Sequence, residues 1–253
     1  MANEMMDLLD TTEDVGGIPR RTLTIFFMID VSGSMYGSKI GAVNSAMEEV
    51  LVDLQDVEGA DAEIKMAVLT FSDGCYWMTP QPVNLDANWS ELKAEGLTDF
   101  YSACKELNDK LSVSHGFMDS ASGCYAPVLF LITDGYPTDD TDNGDNGINL
   151  LKKNNWYKAA IRVAIAIGDD ANKSLCENFT GNPETVVVAH NSVFLKKVIK
   201  KIAVTSSQVA SSGRSRTDSE TTDPNTVEST VGNKQVGTII KEIPEDDDDD
   251  FEW

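Results

Sequence analysis

Residues 23–29, LTIFFMI, form an uninterrupted apolar run that stops at Asp30. A half-buried strand alternates apolar and polar positions, so a short run with no alternation fits a strand buried on both faces. Similar runs recur at 64–71 (IKMAVLTF), 126–133 (APVLFLIT) and 161–167 (IRVAIAI), with a last one at 184–189. Between the first two, residues 38–57 place Ile40, Val43, Ala46, Met47, Val50, Leu51 and Leu54 at three- and four-residue spacing, the stripe of an amphipathic helix. Helices are also predicted over 99–111, 145–157, 172–179 and 192–204, the last with a basic face at Lys196, Lys197, Lys200 and Lys201. Strands that alternate with helices imply right-handed crossovers and a sheet covered on both sides. The expected fold is therefore α/β: a doubly wound, mainly parallel six-stranded sheet with helices on both faces. One antiparallel edge strand is expected at 76–83, where Pro80 and Pro82 suit an edge.

This domain is expected to occupy residues 20–204, after a flexible N-terminal segment at 1–19. Residues 205–235 are almost free of aromatics and long aliphatics, too little to offset ordering entropy, so a disordered Ser/Thr-rich linker is expected there. Residues 236–253 hold an apolar island, VGTIIKEI, followed by PEDDDDDFEW. Two readings of this acidic tail stand: a solvated run that aids solubility, or a docking motif that adds a strand to a partner's sheet or its own. Thr217, Ser219, Thr221, Thr222, Thr226, Ser229 and Thr230 lie among acids, either as phosphorylation sites for a partner kinase or as an inert linker.

The net charge of −22 opposes nucleic acid and anionic membrane surfaces as partners. Residues 205–253 hold 12 acids against 4 bases, which leaves −14 on the rest, so the body is acidic in its own right. Cys75, Cys104, Cys124 and Cys176 are scattered without a paired motif, as reduced, mostly buried thiols of a cytoplasmic protein would be. Neither a basic, then apolar, signal sequence nor a run of about 20 apolar residues is present.

In an open α/β sheet, ligands bind at the carboxyl ends of the strands where strand order reverses. Asp30 ends the first predicted strand and Asp134 ends the run at 126–133; Ser32 and Ser34 follow Asp30, with Gly33 allowing a tight turn. Carboxylates and hydroxyls form an all-oxygen set suited to a hard cation such as Mg²⁺, with Mn²⁺ or Ca²⁺ as alternatives. Neutral hydroxyls leave the cation's charge under-neutralised, so that an outside Asp or Glu can complete its shell.

The order Asp30-Val31-Ser32-Gly33-Ser34, then Thr98 in GLTDFYSA, then Asp134 in LITDGYPTD resembles the metal-ion-dependent adhesion site (MIDAS) of von Willebrand factor A (VWA) domains, a Rossmann-like fold. The resemblance covers residues 20–204. It implies that Ser32, Ser34 and Thr98 coordinate the ion, with Asp30 and Asp134 acting directly or through water; Asp99 competes with Thr98 as a ligand or serves as a helix cap. The stretches MIDVSGSMYGSKIGAVNSAM and LITDGYPTDD are similar to those of bacterial TerY-like proteins of tellurium-resistance and stress-response clusters. That similarity implies a non-enzymatic adaptor working beside a Ser/Thr kinase and a PP2C-type phosphatase. A VWA subunit that partners a AAA+ ATPase is the alternative.

Other chemistry finds less support. DDTDNGDNG at 139–147 hints at a calcium loop, but Leu150 stands where a bidentate Glu is needed, and a lead-in to the next helix explains these acids. His115 and His190 are isolated, and the phosphate-loop, dinucleotide and hydrolase-elbow patterns are absent. A Mg²⁺-dependent phosphohydrolase would need a nucleophilic carboxylate beside Asp30, where Ser32 stands instead.

Overall fold

A computed structural model describes residues 21–55, 62–85, 88–119, 123–138, 145–211 and 228–243. The first apolar run is strand β1 (Arg21–Asp30), followed by a short 3-10 turn (Gly33–Met35) and helix α1 (Ser38–Gln55). Then come β2 (Ala62–Phe71), the short β3 (Cys75–Trp77) and β4 (Val83–Asn84), α2 (Phe100–Lys110) and β5 (Val128–Thr133). The chain continues through α3 (Asp145–Leu151), α4 (Asn155–Ala159), β6 (Ile161–Ile167), α5 (Lys173–Thr180) and a 3-10 turn (Pro183–Thr185). It closes with β7 (Val186–Ala189), α6 (Ser192–Ser211) and α7 (Glu228–Lys241).

The sheet runs β3-β2-β1-β5-β6-β7, with β4 also paired to β2. Pairs among β2, β1, β5, β6 and β7 are parallel, whereas β3 and β4 meet β2 antiparallel. The single antiparallel edge strand expected at 76–83 is thus two short pieces, giving seven strands instead of six. Pro80 and Pro82 lie between them, and proline has no N–H to donate to a ladder.

The alternating side chains of β1 show why its sequence is apolar throughout. Leu23, Ile25, Phe27 and Ile29 pack with Val43, Met47 and Leu54 of α1 and Leu195, Val198 and Ile202 of α6. Phe26 and Met28 point the other way, onto Phe100 and Leu107 of α2, Ile148 of α3 and Phe179 of α5. Because β1 carries β2 on one side and β5 on the other, the strand order reverses between β1 and β5. Asp30 ends β1 and Asp134 directly follows β5.

Two expectations are corrected here. The helix predicted over 145–157 breaks at Asn154, whose side-chain oxygen accepts from the backbone N–H groups of Trp156 and Tyr157 at 2.8 and 3.3 Å. Its amide group donates to the Leu111 carbonyl at 3.1 Å, so the side chain restarts the helix in a new direction. The linker expected over 205–235 is helical at both ends: α6 runs to Ser211 and α7 starts at Glu228. Extending a helix already anchored by buried Ile202 and Ala203 needs no new nucleus. The part at 212–227 lies outside the described residues, as do the segment at 1–19, the acids at 139–144 and the acidic run at 244–253.

The apolar island is a helix docked on its own domain, not an added strand. Asn233, Val236, Gly237 and Ile243 are buried at helical spacing. The Asn233 side-chain oxygen accepts from the Arg162 backbone N–H at 3.0 Å, and Lys241 meets Glu184 at 2.5 Å. A Cβ at Gly237 would stand 2.9 Å from the Glu184 Cβ, so only glycine allows this approach. An apolar island beside an acidic run suggested a docking strand, but tertiary packing makes it a helix.

Candidate metal centre

Asp30, the last residue of β1, is fully buried. Its Oδ1 accepts from the Ser32 N–H at 2.8 Å and its Oδ2 from the Thr133 hydroxyl at 2.6 Å. Burial pushes its carboxyl above the usual carboxylate range, against those hydrogen bonds, and the charge of Asp134 adds to the rise. Ser32 occupies the cap position of the turn that follows, yet its side chain makes no capping bond. Its Oγ lies 3.1 Å from Ser34 Oγ instead. A turn or cap role therefore does not explain either hydroxyl.

Ser34 Oγ donates to Asp134 Oδ1 at 2.7 Å. Thr98 is buried in the loop before α2 and held to the loop after β5 at two points: its N–H donates to Thr138 Oγ1 at 2.9 Å, and its carbonyl accepts from the Thr138 N–H at 3.0 Å. A Cβ built on Gly135 would lie 3.4 Å from Ser34 Oγ, 3.7 Å from Asp30 Oδ2 and 3.9 Å from Thr98 Oγ1. Oxygens from three loops thus surround one point. The first and second loops are joined where Gly33 N–H donates to the Gly96 carbonyl at 2.9 Å; a Cβ on Gly33 would crowd that oxygen to 3.3 Å. The carboxylate of Asp99, the competing ligand, accepts from the Ser102 N–H at 2.9 Å and caps α2.

The donor set fits a hard cation. Among the described residues, no group of three or more His, Cys, Asp or Glu side chains is placed to hold a metal, so a cation here would rely on hydroxyls beside two carboxylates. Sequence reasoning missed Lys39, which pairs with one of the two carboxylates. Its ammonium sits 2.6 Å from Asp134 Oδ2 and 3.8 Å from the exposed Asp170. A signal was available: Lys39 is the second residue of α1, where the helix dipole disfavours a cation unless a carboxylate holds it. Thr133 and Thr138, which position Asp30 and Thr98, were also missed.

Residues 24–201, more than half of the chain, match the family model for the von Willebrand factor type A domain. The chain belongs to the VWA family. It is 27% identical over 171 residues to human inter-alpha-trypsin inhibitor heavy chain H6, a match that covers 63% of this chain but 12% of that protein. Three solved structures share the fold at low identity. The von Willebrand factor type A protein from Catenulispora acidiphila has a TM-score of 0.53 and 16% identity, covering 73% of this chain and 42% of that one. Proximal thread matrix protein 1 from the mussel byssus, solved with a zinc-occupied MIDAS motif, has a TM-score of 0.54 and 18% identity, covering 74% and 46%. The vWF domain of the type V pili tip protein Mfa5 from Porphyromonas gingivalis has a TM-score of 0.57 and 11% identity, covering 82% of this chain and all of that domain. No helix among the described residues is long and apolar enough to cross a membrane.

Proposed function

We propose that this VWA protein is a non-enzymatic, metal-dependent adaptor that captures an Asp or Glu of a protein partner. Asp30, Ser32, Ser34, Thr98 and Asp134 would hold the cation, with Mg²⁺ the first choice and Mn²⁺ or Ca²⁺ alternatives. The observation that carries the reading is the convergence of three hydroxyls, those of buried Ser32 and Thr98 and of exposed Ser34, with only two carboxylates at the switch point of the sheet. Bound there, the cation supplies a Lewis-acidic site for an external carboxylate. The chain's own groups fix its position: Thr133 and the Ser32 N–H orient Asp30, and Thr138 anchors Thr98. A finer reading, a TerY-like role in bacterial tellurium resistance or stress response beside a Ser/Thr kinase and a PP2C-type phosphatase, is supported by MIDVSGSMYGSKIGAVNSAM and LITDGYPTDD.

Affinity capture with the wild-type chain and an Asp30→Ala/Ser32→Ala variant, each with Mg²⁺ and with EDTA, tests the proposal. Partner proteins should be retained only by the wild type in Mg²⁺, while circular dichroism shows the variant folded. Retention that is the same in Mg²⁺ and in EDTA would overturn it.

A further inference from the structure

The three loops that bring the metal ligands together also carry large apolar side chains turned outward. Tyr36, two residues after Ser34, is 79% exposed; Leu97, next to Thr98, is 62% exposed; Tyr136, two residues after Asp134, is 61% exposed. These are three of the eight exposed large hydrophobic side chains among the described residues, and each lies within two residues of a ligand on a different loop. Tyr101, on the first turn of α2, adds a fourth side chain, less exposed than these three. The loops are tied to one another by the Gly33–Gly96, Thr98–Thr138 and Ser34–Asp134 hydrogen bonds, so the side chains share one rim around the centre. Single exposed hydrophobes need no explanation, but a ring of them around a polar centre marks a contact surface. Tyrosine suits it, with a flat apolar body and a hydroxyl that stays wet.

Outside this rim the charge is negative. Glu95 is exposed, and its backbone N–H donates to the Val31 carbonyl beside the end of β1. Asp170 lies 3.8 Å from Lys39, and Asp169 faces His190 at 3.5 Å; both acids are largely solvent-exposed. On a chain of net charge −22, this outer ring repels a polyacidic segment and attracts a basic one.

Resting on the proposed metal-dependent capture of a carboxylate, we infer that the partner segment carries a single acceptor Asp or Glu between bulky apolar residues, with Lys or Arg at its outer positions. The apolar neighbours pack on Tyr36, Leu97 and Tyr136 and exclude water from the metal–carboxylate contact, which strengthens it. The outer cations meet Glu95, Asp169 and Asp170.

Fluorescence anisotropy on the full chain in Mg²⁺ tests this with a labelled peptide that has a central Asp, Phe and Leu on either side, and Lys at both ends. Serine in place of Phe and Leu should weaken binding about tenfold, and Glu in place of Lys should weaken it by an amount that shrinks at high salt. A Tyr36→Ser/Tyr136→Ser variant should lose about tenfold for the parent peptide, with no change for the serine-flanked one and unchanged Mg²⁺ binding by calorimetry. If the serine-flanked peptide binds as tightly as the parent, and EDTA releases both, this inference falls while carboxylate capture stands. If an Asp-to-Asn peptide binds as tightly as the parent, if EDTA changes nothing, or if the parent does not bind, carboxylate capture falls and this inference falls with it.

Discussion

At the carboxyl end of the sheet, oxygens crowd together: Ser32 Oγ stands 3.1 Å from Ser34 Oγ, which bonds buried Asp134 and lies beside buried Asp30. At the opposite end, where β6 begins, the contacts that hold α7 pair donor with acceptor. The Arg162 N–H finds the Asn233 side-chain oxygen, and Lys241 finds Glu184. Two buried carboxylates side by side cost stability and make sense where something positive is to be held. Donor matched to acceptor is what a purely structural contact needs. The comparison separates a cluster suited to holding a cation from a clasp built to stay closed.

The clasp is the easier end to break. Val236 of α7 is fully buried beside the core of α1 and α6. Val236→Asp places an unpaired charge there and should lower stability by about 3 kcal/mol or more. That corresponds to roughly 10 °C in thermal midpoint for a domain of this size. Calorimetric titration should show Mg²⁺ affinity unchanged at temperatures where the variant is folded. A midpoint equal to wild type would mean that α7 contributes no packing.

The binding end should respond in the opposite sense when its own cation is removed. Lys39 places an ammonium 2.6 Å from Asp134 Oδ2, where its charge opposes any second cation. Two unit charges about 5 Å apart interact by roughly 3 kcal/mol at an effective dielectric near 20. After allowance for the partial exposure of Lys39, Lys39→Met should tighten Mg²⁺ binding at least about tenfold, measured by calorimetry. Unchanged or weaker binding would show instead that the lysine serves to orient Asp134.

How much of these two ends could be read from the sequence follows from the physics of each. The strands β1, β5 and β6 stood out because residues buried on both faces leave no alternation to misread. Asp30, Ser32, Ser34 and Asp134 stood out because acids and hydroxyls at the ends of such strands have no packing role, and the structure places all four within one cluster with Thr98. Lys39 was hidden because a lysine on a helix surface is ordinary until the fold brings Asp134 to it from 95 residues away. Helix α7 was hidden because its burial depends on a surface made by Arg162, Glu184 and α6, and a short apolar window does not reveal what it will meet. The break at Asn154 depends likewise on Asn108 and Leu111, which accept its amide.

The smallest effect sharpens the comparison most. Asp30 is fully buried, and its carboxyl is raised mainly by that burial, so the fold holds a charge it would be more stable without. Asp30→Asn keeps an oxygen for the Ser32 N–H, while the Thr133 hydroxyl can rotate to accept from the amide. In EDTA the variant should melt about 3 °C above wild type, on the basis that 1 kcal/mol moves a domain of this size by roughly 2–4 °C. The sign with pH follows from the direction of the shift. A carboxyl raised in the folded state takes up its proton more readily there than in the unfolded chain, so the penalty is complete above the folded value and fades as the pH falls through it. The variant's advantage should therefore be full above the folded value and vanish in acid. In Mg²⁺ the order should invert, because only the wild type gains from a bound ion. A variant that melts lower than wild type in EDTA at neutral pH would show that the hydrogen bonds from Ser32 and Thr133 outweigh the burial of the charge, making this end of the sheet as self-sufficient as the clasp.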